Sequence, residues 1–110
     1  MNQLNTDVIQ GTLDMLILKT LSLEETHGWG ISQRIQERSK GLLDVNQGSI
    51  YPALQRLEQR GWITSFWGVT ENNRRAKFYR LTDGGTEALS SEAVNWRRYV
   101  GAVEWIMEAT

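Results

Sequence analysis

The sequence predicts a mainly α-helical fold with a small β-hairpin: three short helices, the hairpin, and a long final helix. Apolar residues recur at helical spacing in four segments, and two runs rich in β-branched and aromatic residues flank a polar turn. At 110 residues the chain has the length of one domain with a modest core. We therefore expect residues 1–81 and 82–110 to be two parts of one compact unit.

Composition excludes several classes of protein. The hydrophobic fraction of 40% and the charged fraction of 23% are ordinary for a globular domain. The chain has no cysteine, which excludes disulfides, thiolate metal sites and cysteine nucleophiles. The first ten residues lack the pattern of a signal peptide, and the longest apolar run, residues 15–18, is too short to span a bilayer. A cytoplasmic protein without a membrane partner is expected.

Charge is distributed unevenly along the chain, although the net charge is only −1. Residues 30–80 contain nine of the twelve Lys and Arg but only four acidic residues, a local net charge of +5, and the remainder carries −6. Such asymmetry predicts one basic working surface and an acidic remainder, a pattern found in nucleic-acid-binding proteins.

The first helix is predicted over residues 12–23. Its core-facing stripe consists of five residues at helical spacing: Leu13, Leu16, Ile17, Thr20 and Leu21. Met15 and Leu18 lie off this stripe and are also apolar. This second apolar edge is expected either to contact a partner or to be covered within the monomer.

The second helix is predicted over residues 30–39, after a short connection at 24–28. Ile31 and Ile35 point inward in this pattern, whereas Arg34 and Arg38 share an outward stripe.

The start of the second helix contains the only histidine, His27. We expect Thr26 to cap the helix and His27 to form a hydrogen bond at its start. A lone histidine without cysteine does not predict a metal site. No paired carboxylates share a face either, so no catalytic residue is assigned and an enzyme is not expected.

The third helix is predicted within residues 46–61. Its buried stripe is Ile50, Ala53, Leu54 and Leu57, at i, i+3, i+4 and i+7. Regular helix is expected from about Ser49, with Gly61 as a left-handed cap. The opposite face carries amide, hydroxyl and guanidinium groups and almost no acid, which suits contacts with base edges and phosphates. An ordinary solvated face is the alternative.

Residues 63–69 and 76–81 predict the two strands of the hairpin. The turn between them contains Asn72 and Asn73, which tolerate positive φ. Three helices followed by a hairpin are the order of a winged helix-turn-helix. In that fold the third helix enters the major groove of DNA and the hairpin, or wing, lies along the backbone or in the minor groove.

The final helix is predicted over residues 82–110, with Thr82 as its N-cap. Gly84 and Gly85 are expected to weaken its first turn. Beyond them a heptad pattern is formed by Leu89, Ala93, Trp96, Val100, Val103 and Met107. Dimerisation through this helix, against the first helix of the partner, is predicted. The alternative is a monomer in which the helix folds back on itself.

Three segments, HGWGI (27–31), GSIYPALQRLEQRGWI (48–63) and NNRRAKFYRLTDGG (72–85), closely resemble the PadR family of bacterial transcriptional regulators in sequence and order. The similarity covers about residues 13–89. The short tail resembles the compact branch of that family, which has a single C-terminal dimerisation helix rather than a separate domain.

The resemblance implies a homodimeric regulator, usually a repressor, that binds a palindromic operator in double-stranded DNA. No cofactor is expected. Residues 1–81 would form the winged helix-turn-helix DNA-binding domain, and residues 82–110 the dimerisation helix. By position, the recognition-helix surface would consist of Gln47, Ser49, Tyr51, Pro52 and Gln55. Wing and phosphate contacts would come from Arg74, Arg75 and Lys77, assisted by Arg34 or Arg38.

Some members of the family bind aromatic compounds at the dimer centre, where a tryptophan of the last helix stacks on the ligand. Trp96 matches that position, and Met15 and Val100 are assigned as its neighbours in the effector site. The alternative is that Trp96 is plain core of the dimer. A second class of function also remains open, a winged-helix module that binds protein instead of DNA.

Overall fold

A computed structural model describes residues 12–110. The elements in chain order are α1 (Leu13–Leu23), β1 (Thr26–His27), α2 (Gly28–Arg38), α3 (Gln47–Gln59), β2 (Ile63–Val69), β3 (Arg75–Leu81) and α4 (Asp83–Glu108). The strands form one antiparallel sheet in the order β1-β3-β2. The mainly α fold with a hairpin is therefore confirmed. The expected absence of a signal peptide concerns a segment outside the described residues.

No helix within residues 12–110 combines the length and apolarity needed to cross a membrane.

The hydrophobic core lies where α1, α2 and α3 meet the base of the sheet. Its largest fully buried side chains come from all of these elements: Ile17, Leu18, Ile31, Ile50, Leu54, Leu57 and Ile63. Leu18 was expected on a second edge of α1, off the core stripe. It is buried within the chain because α1 packs against α2, α3, α4 and β3, which together cover more than one face. Met15 is half-buried.

The segment before α2 forms a short strand instead of the plain connection expected. Thr26 and His27 pair with Tyr79 and Phe78 of β3. The N-cap of α2 is His27, whose Nδ1 accepts a hydrogen bond from the N–H of Gly30 at 3.1 Å, as expected for its side chain. The expectation that Thr26 caps this helix is wrong. Thr26 is buried, and its Oγ1 lies 2.2 Å from the position that a Cβ on Gly30 would take.

Helix α3 begins at Gln47, two residues before the expected start. The difference follows from Asn46, whose Oδ1 accepts a hydrogen bond from the N–H of Ser49 at 2.9 Å and caps the first turn. The C-terminal end agrees with the prediction, since Gly61 has φ +77°. The N–H groups of Gly61 and Trp62 donate to the carbonyls of Glu58 and Leu57, which closes the helix in a Schellman motif.

The wing consists of β2, β3 and the turn at residues 70–74, where Asn73 has φ +61°. Strand β3 begins at Arg75, one residue earlier than predicted. Residues paired across the hairpin share a face, and Ser65, at the base of one face, donates a hydrogen bond to Glu58 of α3 at 2.6 Å. We call this the inner face; it comprises Ser65 paired with Tyr79, Trp67 paired with Lys77, and Val69 paired with Arg75.

Helix α4 is a single uninterrupted helix of 26 residues, so it does not fold back on itself. The predicted N-cap is confirmed, because Thr82 Oγ1 accepts a hydrogen bond from the N–H of Gly85 at 3.0 Å. Leu89 packs against the core, whereas the last turns extend beyond it. A helix of this size is about 39 Å long, which gives the molecule an elongated shape of 57 × 34 × 21 Å.

The two glycines in the first turn of α4 differ in their surroundings. A Cβ on Gly85 would lie 2.0 Å from the carbonyl oxygen of Trp62 and 2.8 Å from Leu81 Cδ1. A Cβ on Gly84 would meet nothing closer than 3.7 Å. Gly85 is therefore required for the close approach of α4 to the end of α3, whereas Gly84 is not.

We predict that Gly85→Ala lowers the free energy of unfolding by about 2–3 kcal/mol, because the backbone of α4 must shift away from Trp62. Gly84→Ala is the matched control, and it should be neutral or raise stability by about 0.5–1 kcal/mol through helix propensity. Urea unfolding followed by circular dichroism measures both. Equal effects of the two substitutions would contradict the packing argument.

Candidate nucleic-acid interface

The exposed face of α3 carries four of the five side chains of this helix that were expected to contact DNA. Burial of Ile50 and Leu54 in the core turns the other side of the helix outward. Tyr51, Pro52 and Gln55 are exposed on that side, and Ser49 is half-exposed in the first turn. The structure thus brings four of the five predicted α3 residues to one solvent-facing surface.

Gln47 is the exception among them. Its side chain turns toward α2, where Nε2 donates a hydrogen bond to Ser32 Oγ at 2.8 Å. Its Oε1 is buried and accepts no hydrogen bond from the residues described. The carboxamide therefore joins α2 to α3 in this conformation, and its NH₂ group is already engaged within the protein.

Tyr51 extends from α3 across the start of α2. A Cβ on Gly28 would lie 3.0 Å from Tyr51 Cε1 and 3.2 Å from its hydroxyl oxygen, so the ring rests against the glycine. The ring is 53% exposed and lines a groove toward the wing. Tyr79 lies behind it, and burial raises the pKa of that phenol, with smaller contributions from the charges of Glu58 and Tyr51. Tyr79 thus keeps its proton at neutral pH.

Two arginines at the C-terminal end of α3 are paired with one carboxylate from a distant part of the chain. Asp14 of α1 accepts from Arg56 at 3.0 Å and from Arg60 at 3.5 Å. Ion pairs of this kind between partly exposed groups contribute little stability but fix where the guanidinium groups lie.

The arginines of α2 are held in a similar way by Glu24. This carboxylate is hydrogen-bonded to Arg34 and lies 3.7 Å from Arg38. The hydrogen bond with Glu24 raises the pKa of Arg34 above its ordinary value, and the charge of Glu37 adds to this effect. Arg34 and Arg38 therefore point to the α1–β1 connection, and much of their charge is neutralised within the chain.

On the wing, Arg74 and Arg75 are exposed, and neither has a carboxylate within 4.0 Å in the part of the chain that the structure describes. Arg75 lies over the ring of Trp67, with its guanidinium carbon 4.6 Å from the ring centroid. Lys77 is also exposed and forms a longer ion pair, 3.8 Å, with Glu58. The wing tip is therefore the main source of unpaired positive charge on this side of the molecule.

Some residues that shape the surface were missed by sequence reasoning. Asp14 and Glu24 lie outside the basic segment, and no sequence pattern links Asp14 to arginines more than forty residues away. Trp67 and Trp29 are exposed on the same groove as Tyr51. Alternation along β2, combined with the hairpin register, would have placed Trp67 beside Lys77. No local sequence pattern indicates that Trp29 is exposed on this groove.

The residues expected to mediate dimerisation divide along α4. Leu89, Ala93 and Val100 are half-buried, Trp96 and Val103 are partly exposed, and Met107 is 77% exposed. Trp96 and Tyr99 have ring centroids 6.2 Å apart. The exposed apolar surface continues on Trp105 and Ile106 in the last turns.

Comparison with protein-family models assigns residues 17–91 to the transcriptional regulator PadR-like family. Two relatives are similar in sequence. An uncharacterized protein X of Lysinibacillus sphaericus is 29% identical over 103 residues, 94% of each chain. The transcriptional regulator YqjI of Escherichia coli is 30% identical over 79 residues, which span 72% of this chain but only 36% of YqjI.

Solved structures give the same result. A transcriptional regulator from Clostridium thermocellum superposes with a TM-score of 0.82 at 29% identity, covering 92% of this chain and 95% of that one. A PadR-like transcriptional regulator from Bacillus cereus superposes with a TM-score of 0.79 at 26% identity, covering 96% and 100%. The resemblance found in the sequence is confirmed, and this chain belongs to the PadR-like family of transcriptional regulators.

Proposed function

We propose that this protein acts as a homodimeric repressor that binds a palindromic operator in double-stranded DNA. The observation that supports this most directly is the common orientation of two surfaces. The hydroxyl and amide groups of Ser49, Tyr51 and Gln55 lie exposed on α3, and the inner face of the wing, bearing Arg75, begins beside the same helix. One DNA duplex can contact both surfaces.

The two surfaces have different roles in this proposal. Arg74 and Arg75 supply salt-dependent affinity for phosphates, because their charges are unpaired and exposed. Gln55 and Ser49 have donors and acceptors that match base edges in the major groove.

The other predicted residues are engaged in contacts within the protein. Lys77 contributes to phosphate binding once its ion pair with Glu58 breaks. Arg34 and Arg38 have a supporting role, since Glu24 already holds both. Gln47 takes part in base contacts only if its bond to Ser32 opens.

We predict that Arg75→Gln weakens binding to selected and random-sequence duplexes by the same factor and reduces the slope of log affinity against log salt by about one. Gln55→Ala should weaken binding to the selected duplex by about 5- to 100-fold, with little effect on random DNA. Fluorescence anisotropy across a salt series measures both, using a duplex selected by the protein from a randomised pool.

Lys40→Asn is the charge control, because Lys40 lies in the turn before α3 with φ +56°, which asparagine tolerates. It should leave both affinities nearly unchanged. Equal losses on both duplexes for Arg75→Gln and Gln55→Ala would contradict the division of roles.

Dimerisation through α4 is part of the same proposal. Its carboxy-terminal half exposes an apolar surface that includes Val103, Trp105, Ile106 and Met107. Exposed patches of this kind are typical of protein interfaces. A dimer with two-fold symmetry would place two copies of α3 about one helical turn of DNA apart, which matches a palindromic operator.

We predict that Val103→Asp weakens dimerisation at least about tenfold, because a carboxylate would be buried in the interface without a partner. Sedimentation equilibrium measures the change. Glu104→Ala is the control on the adjacent, exposed position and should leave the dimer intact. A wild-type protein that is monomeric at micromolar concentration would refute this part of the proposal.

Trp96 is the proposed stacking surface for a small aromatic effector, and Met15 and Val100 are proposed to contribute to the same site. The proposal is supported by the 40% exposure of Trp96, which leaves part of this large aromatic residue accessible in one protomer. Binding at the dimer centre would alter the spacing of the two α3 helices and release the DNA.

We predict that a planar aromatic compound which releases DNA from the wild-type protein loses at least about tenfold in potency with Trp96→Ala, because the stacking surface is lost. Asn95→Ala, which changes the adjacent, exposed residue of the same helix outside the apolar residues assigned to the interface, should retain the response. Anisotropy of labelled duplex during compound titration gives the readout. Retained potency in Trp96→Ala would exclude this site.

A further inference from the structure

A cleft of about 720 Å³ separates the amino-terminal end of α2 from the inner face of the wing. Three large aromatic side chains line it while remaining more than half exposed to solvent: Trp29 at 55%, Tyr51 at 53% and Trp67 at 61%. They come from α2, α3 and β2, so the tertiary fold gathers them. Large aromatic side chains left in water on one concave surface indicate a binding partner.

We propose that this cleft seats the sugar–phosphate backbone of one DNA strand, with the three aromatic rings against deoxyriboses and Arg75 donating to a phosphate. The inference rests on the proposed DNA-binding function and adds a second contact surface to it. Trp67 is assigned as the positioning residue for Arg75, and Trp29 as a contact from the opposite wall.

The charge of the cleft favours a polyanion at its wing end. Two of the three lining carboxylates are paired with arginines: Glu24 with Arg34 and Arg38, and Glu25 with Arg80 at 3.1 Å. Glu71 in the turn has no such ion pair within residues 12–110, but Arg74 and Arg75 carry two unpaired positive charges beside it. The unpaired charges therefore sum to +1, and they are concentrated where the wing meets the cleft.

The stacking of Arg75 on Trp67 suits a phosphate contact. The guanidinium carbon is 4.6 Å from the centroid of the indole ring, which is the range of a cation–π interaction. An indole ring takes the place of no hydrogen-bond acceptor on the guanidinium group, so the N–H donors of Arg75 remain available, and these donors match the oxygens of a phosphate. Trp67 thus restricts the side chain of Arg75 without competing for its hydrogen bonds.

The opposite wall is also held in place. Tyr51 rests against Gly28, so its ring has a fixed support. Trp29 follows Gly28 in the first turn of α2, which is anchored by the His27 cap and by β1. Phe78, below the cleft, contacts His27 edge to face at 5.1 Å between ring centroids, which joins the two walls. The cleft is thus built from the same elements as the core.

The test measures affinity for a selected duplex and a random-sequence duplex by anisotropy across a salt series, with the full chain. Trp67→Thr and Trp29→Ala should each lose about 5- to 20-fold in affinity on both duplexes. The salt slope should stay unchanged in Trp29→Ala, because no phosphate contact is removed, and it should fall by no more than about one in Trp67→Thr, where only Arg75 loses its support. A collapsed wing would lower the slope by more than about one, because Arg74, Arg75 and Lys77 would all lose their contacts.

Matched control variants distinguish the loss of a DNA contact from a loss of folding. Thr64→Ala changes an exposed residue on the other face of β2, and Leu23→Ala removes an equally exposed apolar side chain (54%) outside the cleft. Both should bind like the wild type. Trp67→Phe, which keeps an aromatic face, should restore part of the affinity. In an Arg75→Gln background, Trp67→Thr should reduce DNA affinity by a smaller factor than in the wild type, because the guanidinium group that Trp67 positions is already absent.

Three other outcomes would contradict the cleft proposal. Wild-type affinity in Trp67→Thr and Trp29→Ala overturns the cleft as a DNA-contact surface while leaving the proposed function intact. A loss confined to the selected duplex shows that the rings read bases, which overturns the backbone assignment. If the wild-type protein itself binds neither duplex at low salt, the proposed function fails and the cleft proposal fails with it.

Discussion

Burial of one stripe of α3 is the constraint on which the rest of the structure depends. Ile50, Ala53, Leu54 and Leu57 are almost fully enclosed by α1, α2 and the base of the sheet. Because a helix has one continuous surface, this burial fixes its rotation and turns the polar residues outward. The caps at Asn46 and Gly61 fix where the helix begins and ends. The DNA-facing surface we propose is therefore a consequence of how the core is filled.

The wing is tied to the same helix by polar contacts instead of by the core alone. Glu58 accepts a hydrogen bond from Ser65 and forms an ion pair with Lys77, so one carboxylate holds both strands against α3. Tyr79 is buried beneath this contact. Beyond Lys77 the inner face leaves the core, and its side chains become exposed. Residues at the base of the wing therefore stabilise the fold, whereas the unpaired arginines at its tip are available to bind DNA in the proposed complex.

Helix α4 shows a similar division. Its first turns pack on the core, with Gly85 allowing close approach to Trp62, and Leu89 is the last large side chain that the core partly covers. From Val94 onward, exposed apolar side chains accumulate. A single chain of this size has too little core to cover a 26-residue helix. The heptad spacing therefore becomes meaningful only when a second copy is considered, as in the dimer proposed here.

The sequence by itself determined the order of the four helices and the hairpin, the buried stripes of α2 and α3, the Gly61 cap and the Thr82 cap, because each depends on residues within a few positions of one another. It did not indicate β1, whose pairing partner in β3 lies about fifty residues away. It also predicted the family, since the motifs that carry the resemblance are contiguous. Only the tertiary structure decided which charges remain free. Asp14 and Glu24 neutralise arginines far along the chain, and Trp29, Tyr51 and Trp67 meet in one cleft although they belong to three elements. Such contacts depend on packing between elements, and periodicity along the chain carries no information about them.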